Sequence, residues 1–313
     1  MTLAHERARE NAPLLETDQT LCYDQDGNIL PCAGTGQDAS RPKRDPRGAS
    51  RFQAHGEVVL DTATGAIWTR NANPAGFPLT WDEAGAFARD MADRNAYGRS
   101  GWQLPSRHAL FSLVSQQRTM PALPSGHPFT NVFSGSCWTG DTCRRLPAQA
   151  WHVHIGGGRV PKANKSDSLL VWPVCMPQQN RSNGPENRFS LSGEQVTDHL
   201  TGLVWSRDAD PGGRPLSWQR ALSLVDEFNR ARLHGAADWR MPNIRELESL
   251  VDLQAHSPAL SPDHPFANVR EVCWSSTTSV YEPRYAWALY TRDGMVGVGF
   301  KADAGFRLWL VRG

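Results

Sequence analysis

The twelve tryptophans fall into two series of six, at positions 68, 81, 102, 138, 151 and 172 and then at 205, 218, 239, 274, 287 and 309. Subtracting the series in order gives 137, 137, 137, 136, 136 and 137. Bulky, rare side chains that recur at one offset mark a duplication, so the chain must fold as one unit used twice. Neighbouring residues keep the offset. Arg51-Phe52 matches Arg188-Phe189, and Leu79-Thr80-Trp81 matches Leu216-Ser217-Trp218. Trp102-Gln103-Leu104-Pro105 matches Trp239-Arg240-Met241-Pro242, and His127-Pro128-Phe129 matches His264-Pro265-Phe266. One deletion then lowers the offset, so that Cys137-Trp138 matches Cys273-Trp274.

The duplication divides the chain into a leader (1–49), a first domain (50–177), a polar linker (178–186) and a second domain (187–313). Each repeat is too long for a solenoid unit and suits a domain. Apolar residues make up 39% of the chain, enough for packed cores. Net charge is +1, from 33 basic and 32 acidic residues. That balance argues against nucleic-acid binding, and with no run of about 18 apolar residues no membrane insertion is expected.

Each repeat reads as α+β. A strand runs through a Thr-Gly turn to a Trp, at 58–68 and 196–205. A helix follows. Thr80 and Glu83 have capping-box spacing ahead of Ala84, Phe87, Ala88 and Met91; Ser217 precedes Ala221, Leu224, Val225 and Phe228. A second helix carries Leu110, Leu113 and Val114, or Ile244, Leu247, Leu250 and Val251 behind an Asn243/Glu246 cap. The last third is a meander of strands near 274–279, 285–290, 296–300 and 308–311, with Asp293-Gly294 as a hairpin turn.

These motifs resemble the Lcl C-terminal domain family. Its pattern of Val-Thr-Asp, Thr-Gly-Leu and Trp is met by VTDHLTGLVW at 196–205. DWRMPNIRELESLVD at 238–252, WSST at 274–277 and WLVR at 309–312 complete the match over nearly all of repeat 2. Repeat 1 is a degraded copy, with Trp138-Thr139-Gly140 in place of WSST and no Asn-x-x-Glu cap. The leader strings CYDQDGNILPC at 22–32 and GTGQD at 34–38 resemble segments that precede this domain. The resemblance implies two tandem C-type lectin-like domains, related to formylglycine-generating enzymes. It also implies a bacterial secreted or surface module for adhesion, using the strand-rich surface to hold a glycan or protein ligand. The ligand residues expected on that surface are Trp274, Ser275, Ser276, Thr277, Tyr281, Tyr285, Trp287, Tyr290, Arg292 and Asp293. No catalytic residue, metal or cofactor is assigned. Two alternatives are a metal-dependent oxidase-like enzyme on the same fold and a self-associating structural subunit of an extracellular assembly.

Other features weigh in singly. The remaining tryptophans read as core, with Trp138 and Trp151 kept beside Trp274 and Trp287 as ligand contacts. Residues 50–177 carry 12 basic and 8 acidic side chains, a net of +4, against 14 and 15 in 187–313. Arg144, Arg145, Arg159, Lys162 and Lys165 are read either as a solvated face or as a patch for an anionic polysaccharide. Cys22 and Cys32 flank a turn and are expected to pair. Cys143 and Cys175 lack counterparts in repeat 2 and are expected to form a second disulfide, while Cys137 and Cys273 are expected to be buried thiols. Disulfides imply an extracellular, surface or periplasmic location. Residues 1–15 hold no apolar stretch of the signal-peptide kind, which leaves another export route, a removed signal or a cytosolic chain. Asp24-Gln25-Asp26-Gly27-Asn28 reads as a hairpin turn because Thr35 stands where a calcium loop needs Glu. His152 and His154 read as a partly exposed pair, and His127 and His264 as structural hydrogen-bond formers.

Overall fold

The computed structural model describes residues 14–42, 51–176 and 188–313. The linker expected at 178–186 and parts of the leader lie outside these residues. In the leader, β1 (Cys22–Tyr23) and β2 (Ile29–Leu30) form a hairpin closed by the Cys22–Cys32 disulfide. The Asp24 carboxylate accepts from the Asp26 and Asn28 amides inside it, the geometry of a tight turn.

Repeat 1 builds a five-stranded sheet from β3 (Phe52–His55), β4 (Val58–Asp61), β5 (Ile67–Thr69), β6 (Trp102–Gln103) and a late strand, β10 (Val174–Cys175), inserted between β5 and β6. Two helices, α1 (Trp81–Asp93) and α2 (Arg107–Ser112), flank β6. A separate antiparallel sheet holds β7 (Ser136–Thr142), β8 (Gln149–His154) and β9 (Lys162–Asn164). Repeat 2 repeats the order, without a full strand in the place of β6, with β11 (Phe189–Ser192), β12 (Gln195–Asp198), β13 (Val204–Ser206), α3 (Trp218–Arg230), α4 (Ile244–Ser249), β14 (Val272–Thr278), β15 (Tyr285–Tyr290), β16 (Met295–Phe300) and β17 (Val311–Arg312), the last pairing with β13 in the first sheet and not with the meander. The α+β reading holds.

Local chemistry accounts for the helix starts. The Glu83 carboxylate accepts from both the amide and hydroxyl of Thr80. Asn243 accepts from the Arg245 and Glu246 amides, and Glu246 returns a bond from the Asn243 amide. Where repeat 1 lacks that box, Ser106 caps α2 through the Ala109 amide.

Four of the six tryptophan pairs are fastened identically in both repeats. Trp138 and Trp274 donate to the carbonyls of Leu79 and Leu216 at 2.9 and 2.8 Å. Trp102 and Trp239 donate to Ala96 and Leu233, both at 2.8 Å. Trp172 and Trp309 donate to Thr69 and Ser206 at 3.1 and 3.0 Å. Trp81 and Trp218 donate to Thr139 and Ser275 at 2.8 and 2.7 Å. Each bond ties a helix, turn or strand to the adjoining sheet.

The repeats do not stand apart. One continuous hydrophobic cluster runs from Trp68, Trp172, Val114 and Val160 to Val296, Val251, Trp309 and Trp205. Val160 and Val296, equivalent positions, bridge one another antiparallel. His108 Nδ1 meets the Glu248 carboxylate at 2.8 Å, and in the reciprocal contact Arg245 lies over the Phe111 ring at 5.9 Å. Positions 108 and 245 are equivalent, as are 111 and 248, so the interface has the self-complementary form of a twofold dimer. Gly158 and Gly294 sit at the junction, where an added Cβ would lie 3.4 Å from Trp287 or Arg107 of the other repeat and closer still to its own. Both hold positive φ, at 82° and 83°, and an added Cβ would lie 2.6 Å from Val114 or Val251.

Charge is buried at this interface. Arg107 is fully buried. Its Nε donates to Glu248 at 3.3 Å, another nitrogen reaches the Gly294 carbonyl, and its guanidinium stacks on Trp151. Arg245 donates to the carbonyls of Ser112 and Val114 at 3.2 and 2.7 Å. Burial pushes the Glu248 carboxyl up, but the His108 and Arg107 contacts outweigh it and leave it below its usual range. Glu248→Gln strips Arg107 of its counter-charge and is expected to cost about 3–5 kcal/mol in urea denaturation; a loss below about 1 kcal/mol would contradict this role.

Candidate functional site

The ligand face expected on repeat 2 is largely inside the protein. Trp274, Ser275, Ser276, Thr277 and Trp287 are buried, none more than 4% exposed. Ser275 Oγ donates to the Trp287 carbonyl at 2.8 Å, and the Trp274 indole packs on Phe306 at 4.4 Å. These five residues are therefore corrected from ligand contacts to packing residues, as are Trp138 and Trp151. Tyr285 and Tyr290 are partly buried against Phe300 and Phe306. Asp293 is held by Lys162. Tyr281 and Arg292 are exposed.

What closes this face is the leader. The buried Asp38 carboxylate accepts from the hydroxyls of Thr17 at 2.5 Å and Thr277 at 2.9 Å. The Gln19 side chain clasps the Thr278 backbone, accepting from its amide at 2.9 Å and donating to its carbonyl at 2.7 Å. Arg41 reaches Glu246 at 3.5 Å, and Gly36 lies over Leu222. Lys301, fully buried, stands 4.2 Å from the Trp218 ring centroid and donates to the carbonyls of Tyr23 and Asp24 at 3.3 and 3.1 Å. The leader also touches repeat 1, where Asp18 accepts from the Ser115 hydroxyl and the Gln116 amide.

Among the described residues, none covers the equivalent place on repeat 1. Lys165 stands 4.0 Å from the Trp81 ring centroid, the same pair as Lys301 and Trp218. The amides of Trp81 and Trp218 both donate to the lysine carbonyl at 3.0 Å. Yet Trp81 is the one tryptophan of the twelve that is not buried. Beside it lies a cavity of about 410 Å³, with Trp81, Trp102 and Leu104 as apolar lining and Asp82, Arg89, Gln103 and Asp141 as polar lining. A second cavity of about 320 Å³ shares Gly140 and Asp141 and adds Arg144, Pro147, Leu253 and Gln254. Gly85, in α1, lines the first cavity where repeat 2 has the buried Leu222. A glycine inside a helix costs roughly 1 kcal/mol relative to alanine. On repeat 2 the packing around Trp218, Leu222 and Trp239 is one cluster; on repeat 1 its counterpart is split in two, around Trp102 and around Trp138.

With this geometry the comparison with known families is direct. The sequence model of the Lcl C-terminal domain matches residues 57–175 and 194–312. The chain belongs to the Lcl C-terminal domain family. No curated protein is significantly similar to it. Its two Lcl C-terminal domains thus carry one platform in two states, covered and uncovered.

Other expectations are corrected. Cys143 and Cys175 are free and buried, Cys175 beside Trp102, so they form no disulfide. Cys137 and Cys273 are buried thiols, as expected, and burial pushes both up to about 12, which removes reactive thiolate. Lys162 and Lys165 are engaged with Asp293 and Trp81, so the five basic residues do not act as one free patch; Arg144, Arg145 and Arg159 remain exposed. His152 is buried against Trp138, and burial brings it down to about 4. His127 and His264 stack on Phe129 and Phe266 and leave Nδ1 without a hydrogen-bond partner. Among the described residues no group of three or more His, Cys, Asp or Glu is placed to hold a metal.

Sequence reasoning missed Trp81, Gly85 and Asp141. The available signal was substitution between the repeats, since Gly85 replaces Leu222 and Asp141 replaces Thr277 on a shared platform.

Two measurements probe the covered state. Gln19→Ala strands the Thr278 amide and carbonyl, with an expected loss of about 1–3 kcal/mol and faster exchange of the Thr278 amide; unchanged exchange would contradict the clasp. Burial brings the Lys301 ammonium from its ordinary 10.5 down to about 7. The unfolded chain then binds more protons between those values, so stability is expected to rise with pH across that window. Lys301→Met is expected to abolish that rise in thermal melts at pH 7 and 10; a wild-type slope in the variant would contradict it.

Proposed function

We propose that this protein is a non-catalytic binding module, built on two C-type lectin-like repeats and working outside the cell or at its surface, with repeat 1 as the ligand-binding half. The observation that carries the reading is the open trough on repeat 1. An apolar lining with a few convergent polar groups is the usual make-up of a ligand site. Trp81 supplies area, and Asp82, Arg89, Asp141 and Arg144 supply directional contacts. Repeat 2 and the leader serve as its rigid support, through the shared core and the charges buried between the repeats. The Cys22–Cys32 bond suits an oxidising compartment.

The test is an array of glycans and surface proteins probed with the intact chain. Trp81→Ala and Arg144→Ala are each expected to weaken the hits about tenfold or more, while Tyr285→Ala on the repeat 2 face leaves them unchanged. An array without hits, or hits lost only in Tyr285→Ala, would overturn the assignment to repeat 1.

A further inference from the structure

The leader shows what its platform on repeat 2 accepts: a polypeptide segment that brings backbone carbonyls to Lys301, the lysine standing over Trp218. We propose that the matching groove on repeat 1 binds an extended peptide segment of a partner protein, with an apolar side chain seated at Gly85 and a basic side chain facing Asp141. The inference rests on the binding-module reading and narrows its ligand to polypeptide.

Three observations carry it. First, the Trp–Lys platform is retained. Trp81 and Lys165 make the same backbone and ring contacts as Trp218 and Lys301, but the carbonyl acceptors that Tyr23 and Asp24 bring to Lys301 belong to repeat 2. An occupant that lays its backbone over Trp81 would bring such acceptors to Lys165.

Second, the specificity positions have changed. Thr277, which donates to the leader's Asp38, becomes Asp141. Glu246, which meets Arg41, becomes Ala109. Leu222, which meets Gly36, becomes Gly85. The Asp141 carboxylate accepts from the Arg107 amide at 2.5 Å, as the Thr277 hydroxyl accepts from the Ile244 amide at 3.1 Å. A leader-type acid at this point would meet a like charge, which disfavours the leader of a second copy, and a basic side chain meets an opposite one. Asp82, in place of Gln219, adds a second carboxylate to the rim.

Third, the room is there. A Cβ at Gly85 meets only the flexible end of the Arg89 side chain, 3.2 Å away, so an apolar side chain brought by the ligand takes the missing leucine's place once that guanidinium swings aside.

The experiment pans a phage-displayed library of random 12-residue peptides against the intact chain and measures the enriched peptides by fluorescence polarisation. We expect peptides with a Lys or Arg near an apolar residue. Their affinity should fall tenfold or more in Gly85→Leu, which installs the repeat 2 residue and should raise the melting temperature. In Asp141→Thr the preference for a basic residue should disappear. Near-UV circular dichroism checks that both variants keep the native packing. Failure to enrich any peptide, or peptides that bind Gly85→Leu as tightly as wild type, would overturn the inference. If glycans instead bind the intact chain and are lost in Gly85→Leu, the binding-module reading stands and the peptide inference falls. A dimer in light scattering that Gly85→Leu abolishes would mark a second copy as the occupant and overturn the partner assignment.

Discussion

A buried indole N–H gains from an acceptor, and much of this architecture follows from main-chain carbonyls that meet that need for four tryptophan pairs, while the N–H groups of Trp68, Trp205 and Trp287 are buried without one. Four of the six equivalent tryptophan pairs donate to equivalent carbonyls in both repeats. Because these acceptors lie on turns, strands and the entry to the first helix, each bond fixes how one element sits on another. Loops and surface residues could drift between the repeats without disturbing the frame. That freedom allowed Gly85 and Asp141 to arise on a platform whose Trp and Lys stayed in place.

The duplicated unit pairs with itself about a local twofold, through the Val160–Val296 bridge and the reciprocal contacts of α2 and α4. The leader breaks this symmetry. It is a single segment facing two equivalent platforms, and its Asp38, Gly36 and Arg41 suit Thr277, Leu222 and Glu246. Repeat 2, with the intact family motif, is the covered half. Repeat 1, whose motif has drifted, is the open half. Drift at the WSST position thus removes the contacts that would fasten the leader, without removing the scaffold beneath.

The repeat, the α+β class, the helix faces, three strands of the meander and the Cys22–Cys32 pairing were legible in sequence because each leaves a local or periodic signature; the strand expected near 308–311 joins the first sheet beside β13 instead, a long-range pairing that leaves no such signature. The site was legible only in part. WSST reads as a polar surface motif, but two of its hydroxyls bond inside the protein, Ser275 to Trp287 and Thr277 to Asp38, a contact 239 residues distant in sequence. No periodicity reports such a partner. Cys143 and Cys175 failed for a related reason: their joint presence in one repeat says nothing about the distance between two strands' ends. Trp81 was hidden by its own regularity. It looks like its eleven fellows until the structure shows that it alone is not buried.

The most direct measurement is hydroxyl-radical footprinting of the intact chain with mass-spectrometric mapping of each tryptophan. The account predicts fast oxidation of Trp81 and strong protection of Trp218, with the other ten also protected. Equal oxidation of Trp81 and Trp218 would contradict the claim that the leader closes one platform and leaves the other open.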